Sequence, residues 1–150
     1  MVEPLIMTSS LLFGREILVQ TVTKTTTNIY SSLESVMTSD DLYFKKLIEK
    51  TDVNIKLNIM HKLIEDLNKS GITKEYLKES INSSLNYLCE ILINIENDIK
   101  NINEEILKHK EKWFSNFRTP NYKIMISNFL EHLEILDKRF NILLDLLKIK

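Results

Sequence analysis

Between Ile81 and Ile106 the apolar residues fall at Ile81, Leu85, Leu88, Leu92, Ile95, Ile99, Ile102 and Ile106, in steps of 4,3,4,3,4,3,4. Only a helix packed along one seam repeats its buried side this way. The register runs on to His109 and Trp113. Thr73 suits an N-cap, because its hydroxyl can accept an orphan backbone N–H, and Glu75 suits the helix dipole. The same steps return at Tyr122, Ile126, Phe129, Leu133, Leu136, Phe140, Leu143 and Leu147. Thr119 followed by Pro120 marks the start of this element, since proline at the first helical position loses no hydrogen bond.

Two further segments keep the period less cleanly. Leu11, Leu18, Val22, Thr25, Ile29, Leu33 and Val36 share one stripe, with Thr8 to Ser10 offering a cap. Thr21, Thr23, Thr25, Thr26 and Thr27 are β-branched, so a strand over 17–27 is the rival reading. Helix is preferred, because the stripe continues to Val36 without a turn signal and no partner strand presents itself. Next, Ser39, Asp40 and Asp41 read as a cap followed by two acids in the first turn. Phe44, Leu47 and Ile48 form one short stripe, and Val53, Leu57, Met60, Ile64 and Leu67 another. These do not join, which predicts a break near Thr51, with Thr51 or Asp52 capping a new helix. Ser70 and Gly71 end the element.

The expected fold is therefore all-α: an up-down-up-down bundle of about four long antiparallel helices over roughly 9–38, 40–69 with the break near 51, 74–114 and 120–148. The whole of 1–150 reads as one domain, a length ample for a core. Composition agrees. The two glycines and two prolines fall far short of the roughly eighteen that average usage would give, so turns are few and elements long. Ile, Asn and Lys are used heavily, as AT-rich coding DNA would dictate.

Function classes narrow by the same route. A net charge of −1 gives no field for nucleic acid, and no nucleic-acid partner is expected. The single cysteine, Cys89, cannot form an internal disulfide, which fits an intracellular, cytoplasmic setting. The start of the chain does not read as a signal peptide, and Arg15 with Glu16 interrupts the least polar stretch, 5–22. No P-loop, dinucleotide fingerprint, nucleophile elbow, HExxH or paired-cysteine motif occurs, so no enzyme activity and no cofactor are expected. Cys89 sits beside seam residue Leu88 with Glu90 adjacent, and reads as a buried apolar side chain. Asn58, Ile106 and Phe129 stand three residues before His61, His109 and His132, so the Glu-x-x-His pattern of di-iron bundles is missing. His61 with Glu65, and His109 with Glu105, could each put two ligands on one helix face, the basis of a weaker metal-binding reading.

The candidate site lies at the third hairpin. Trp113, Phe114, Phe117 and Tyr122 stand among Lys108, Lys110, Lys112, Arg118 and Lys123. Trp, Tyr, Phe and Arg are the residues that anchor interfaces. Trp113, Phe114, Phe117, Arg118 and Tyr122 are accordingly expected to bind a protein partner. The competing reading makes Trp113 and Tyr122 plugs for the end of the core, since both keep seam register. Residues 1–38 hold only five charged side chains, which suggests either the most enclosed helix or one released to a membrane surface. A non-enzymatic interaction protein is the leading expectation and a membrane-associated bundle the alternative. The four seams can satisfy one another, so a monomer is expected, with a homodimer as the alternative.

Overall fold

A computed structural model describes residues 15–39, 41–70, 75–111 and 121–148, and among these every regular element is helical. Helix α1 is Arg15–Met37, α2 Leu42–Thr51, α3 Val53–Ser70, α4 Lys78–Glu111 and α5 Lys123–Lys148, with a short 3₁₀ turn at Glu75–Leu77 ahead of α4. The chain is all-α. The threonine-rich stretch that rivalled as a strand is helical. Two of its hydroxyls turn back along the helix, Thr21 Oγ1 donating to the Ile17 carbonyl at 2.8 Å and Thr27 Oγ1 to that of Thr23 at 2.9 Å.

The expected break near Thr51 is one residue wide. Asp52 takes the left-handed conformation (φ 54°, ψ 25°), which Asp tolerates better than bulkier residues. Its N–H donates to the Glu49 carbonyl at 3.3 Å, closing α2, and its carbonyl accepts from Lys56 N–H at 3.0 Å, opening α3. One aspartate thus ends one helix and starts the next. At the head of α2, Asp41 is the N-cap rather than a first-turn acid, its Oδ1 accepting from Phe44 N–H at 2.8 Å.

Two boundaries shift from the sequence reading. The third helix begins its α-helical part at Lys78, after the 3₁₀ turn. The last begins at Lys123 rather than 120, because the first helical bond runs from Ile126 N–H to the Tyr122 carbonyl at 2.9 Å, leaving Tyr122 as the cap position. The caps expected at Thr8 to Ser10, Thr73 and Thr119–Pro120, and the stop at Gly71, lie outside the described residues.

Inter-helix contacts fix the directions. Cys89 Sγ reaches the Leu18 carbonyl at 3.5 Å and Asn103 Nδ2 the Ser32 carbonyl at 3.1 Å, both 71 residues apart, so α1 and α4 run parallel. Tyr122 to Asp41 and Lys56 to Asp137 are both 81 apart, so α2–α3 and α5 also run parallel. His132 pairs with Asp98 and Arg139 with Glu90, so α4 and α5 are antiparallel. Directions therefore alternate along the chain, as an up-down-up-down bundle requires. Helix α4 packs closely along both α1 and α5, and α1 packs along α3. The α2–α3 and α5 side is bridged instead by side chains, including an edge-to-face contact of Phe44 with Phe129 at 5.7 Å.

Every α4 seam position from Ile81 to Ile106 is buried, and so are Leu18, Val22, Thr25, Ile29, Leu33 and Val36 of α1. Val53, Leu57, Met60, Ile64 and Leu67 are buried along α3, and Ile126, Phe129, Leu133, Leu136 and Leu143 along α5. Phe140 and Leu147, also on the α5 stripe, are half-buried against this single core. Each fully buried Leu or Ile contributes about 1.5–3 kcal/mol, opposed by the entropy of ordering the chain.

Candidate functional site

Of the five residues expected to bind a partner, Trp113, Phe114, Phe117 and Arg118 lie outside the described residues, and Tyr122 lies within them. Tyr122 belongs to the core. It is 7% exposed, and its phenol donates to the Asp41 carboxylate, 3.0 Å from both Oδ1 and Oδ2. Its ring packs 6.3 Å from that of Tyr43. Burial first, then the Asp41 hydrogen bond and charge, then Tyr43, push the phenol above its ordinary ionisation range. Tyr122 thus packs at the end of the core and ties the start of α5 to the head of α2.

Asp41 is doubly used, as cap of α2 and as acceptor for Tyr122. The turn leading to it is held as well. Ser39 Oγ donates to the Val36 carbonyl at 2.7 Å and accepts from Asp41 N–H at 3.3 Å, and Thr38 Oγ1 donates to the Ser35 carbonyl at 3.0 Å. The α1–α2 turn and the root of the third hairpin are thus locked together at one end of the bundle.

That end also carries apolar side chains that the seams do not use. Leu42 and Tyr43 open α2, Ile124 opens α5, Met37 closes α1, and Leu107 lies near the end of α4. All five are exposed, Ile124 at 77% and Leu42 and Tyr43 at 64% each. The sequence reading missed them because it scored apolar residues for seam membership. Their being off-seam was the available signal. The Tyr122–Asp41 link had no such signal, since nothing local ties residues 81 positions apart.

His61 is held in a pair within its helix and His132 in a pair between helices. His61 Nε2 lies 3.1 Å from Glu65 Oε1, the spacing-four pair anticipated from sequence. His132 Nδ1 lies 2.5 Å from Asp98 Oδ2, linking α5 to α4. Burial raises the Asp98 carboxyl, and the hydrogen bond and charge of His132 draw it back down. His109 is buried in seam register. Among the described residues no three metal-ligating side chains stand close enough to hold an ion. Burial pushes the Cys89 thiol up to about 12, and its backbone hydrogen bond pulls it back, so this thiol is a packed side chain and not a nucleophile.

No family model matches this chain, and no solved structure matches it. Over 116 residues, 77% of its length, the chain is 34% identical to a protein of Acanthamoeba polyphaga mimivirus called uncharacterized protein L717. It spans about half of that viral relative, 52% of its length.

Proposed function

We propose that the chain is a non-enzymatic interaction protein whose helical bundle presents the end bearing the third hairpin to a protein partner. The observation that carries this reading is the clustering of exposed apolar residues. Among the described residues, five of the eleven large exposed apolar side chains, Met37, Leu42, Tyr43, Leu107 and Ile124, stand at this one end. Exposed apolar side chains gathered in one place mark interaction sites, whereas scattered ones need no explanation. The turn beneath them is rigidly bonded, so they are pre-organised, which lowers the entropic cost of association. Trp113, Phe114, Phe117 and Arg118, next in sequence, add the residue types that anchor interfaces. A sequence free of catalytic motifs and a lone buried cysteine support a binding role in a reducing, cytoplasmic setting.

The test is capture of a partner from extract of the source cells by two variants. One replaces Leu42, Tyr43 and Ile124 with serine, and the other replaces Trp113, Phe117 and Arg118 with alanine. Both should keep the circular dichroism of the parent and lose the captured protein. Capture that survives both sets would end the proposal. Vesicle flotation of the same proteins covers the membrane alternative. Flotation of the parent, abolished by a truncation starting at Ser39, would favour lipid over protein. Among the described residues no helix is long and apolar enough to cross a membrane. Releasing α1 would also uncover Val22, Ile29 and Val36, all fully buried.

A further inference from the structure

The helices of the bundle are not held alike. Helix α4 packs closely along α1 and α5, whereas among the described helices α3 packs lengthwise along α1 alone, and less extensively. An ion pair ties α3 to α5, Lys56 Nζ to Asp137 Oδ2 at 3.0 Å, with the two side chains 39% and 49% exposed. Pairs this open to water add little stability.

The contact with α1 is itself imperfect. Away from the third hairpin an open groove of about 380 Å³ parts the first half of α1 from the last turns of α3, with Val19 and Thr23 on one wall and Glu65 and Asn68 on the other. Each row continues along its helix in register, as 19, 23, 26, 30 on α1 and as 61, 65, 68 on α3. Thr26, Tyr30 and His61 therefore belong to the facing sides of these two helices, beyond the groove. Thr26 Oγ1, Tyr30 OH and His61 Nδ1 are each buried and without a hydrogen-bond partner. Such atoms are uncommon in a native protein, because each forfeits the bond that would offset its burial. Separating α3 from α1 returns all three to water, so they weaken the closed form relative to the open one.

The third observation is a hinge. Helix α3 joins α2 through one residue, Asp52, in the left-handed conformation (φ 54°). Helix α2 is pinned on the far side of it, by the Asp41 bond to Tyr122 and by Phe44 against Phe129. A change of backbone angle confined to Asp52 can move α3 while α2 stays in place.

We infer that α3 is a detachable strap, which opens from the α1–α4–α5 body as one unit about Asp52 and leaves α2 and the hairpin end closed. Opening uncovers Leu57, Met60 and Ile64, all fully buried when the strap is closed. Units of this kind open below the free energy of global unfolding.

Native-state hydrogen exchange of the full chain in sub-denaturing urea tests this. The amides of α3 should converge on one shared opening, easier than that of α4 residues 85–106, while the amide of Phe44 keeps its protection. Lys56→Gln alters an exposed side chain and should lower the protection of α3 by about two- to fivefold, leaving α4 unchanged. Thr26→Val removes an orphaned hydroxyl at nearly constant volume, and should raise the protection of α3. Exchange of α3 and α4 through the same opening would overturn the inference. So would α3 amides that fray singly with no shared opening, a Lys56→Gln effect spread equally over all helices, or protection of α3 that falls in Thr26→Val.

Discussion

Helices α1 and α4 run side by side and parallel, yet they are built from opposite materials. Over 23 residues α1 has four charged side chains, Arg15, Glu16, Lys24 and Glu34. Helix α4 has charges throughout its 34 residues. Poverty of charge suggested that the first helix would be the enclosed one. The structure gives that place to α4, which lies between α1 and α5 and buries fourteen residues, Ser84, Asn86 and Glu96 among them. Helix α1 keeps a full solvent face of Gln20, Lys24, Thr27, Ser31, Glu34 and Ser35. Charge count therefore records how an exposed face is solvated, here by hydroxyls and amides, and not how much of the helix is exposed. Enclosure follows the width of the buried stripe. The acids of α4 that fall at its flanks are paired, Glu96 with Lys100 at 3.1 Å and Asp98 with His132.

The sharpest way to break this comparison is to hollow each helix at its middle. Ile95 of α4 and Ile29 of α1 are both fully buried. Truncation to alanine should cost each about 2–5 kcal/mol, with Ile95→Ala toward the upper end because neighbours on two sides hold its cavity open. Urea unfolding with a shared m-value reads the difference. A larger loss for Ile29→Ala would mean that α1 is the more enclosed helix after all.

Next in size is the bond that ties the end of α1 and the start of α2 to α5. Tyr122→Phe removes the donor to Asp41 and should cost about 1.5–3 kcal/mol, the range for hydrogen bonds to a charged group. Asp41→Asn should cost less, since asparagine caps a helix about as well as aspartate. The sign of the pH effect follows from the raised Tyr122 phenol. Below its ordinary value of 10.0 both folded and unfolded chains hold the proton, and the stabilisation is fully present. Above it the unfolded chain ionises first, so stability falls as pH rises toward the folded value. Tyr122→Phe should make this alkaline limb shallower but not flat, because burial raises Cys89 and Tyr30 as well. An unchanged limb would show that Tyr122 ionises as freely in the folded protein as in the unfolded one.

What the sequence made legible, and what it did not, divides along the same line. The seams of α1, α3, α4 and α5 could be read because burial along one helix repeats with the backbone itself. The break at Asp52 could be read because two stripes failed to join. The burial of Cys89 beside the seam could be read too, but that of Asn86 and Glu96, on the same stripe of α4, could not, since it arises because α1 packs on one flank while α5 packs on the other. At the candidate site the aromatic composition of the hairpin was visible, and seam register already allowed Tyr122 a place in the core. The exposed Leu42, Tyr43 and Ile124 around it were passed over as strays, and the α1–α3 groove is set by pairing between helices that no local pattern encodes.

The smallest expected effect concerns the outer face of α1, and it bears most directly on how a charge-poor face is kept wet. Thr27 is exposed, and its hydroxyl is turned back onto the Thr23 carbonyl. That bond satisfies an oxygen already used by the helix, while the β-branched side chain loses rotamer freedom against the preceding turn. Thr27→Ala should therefore stabilise the protein, by about 0.5 kcal/mol from helix propensity. A gain of that size raises the melting temperature of a chain this long by about 1–2 °C. Differential scanning calorimetry of the single variant and of Thr27→Ala with Ser31→Ala measures it. A gain that grows with the second change identifies the hydroxyl face as one that maintains solvation at a small cost in helix stability. A loss would mean that this face makes contacts of its own, and α1 would then be the more enclosed helix despite its exposure.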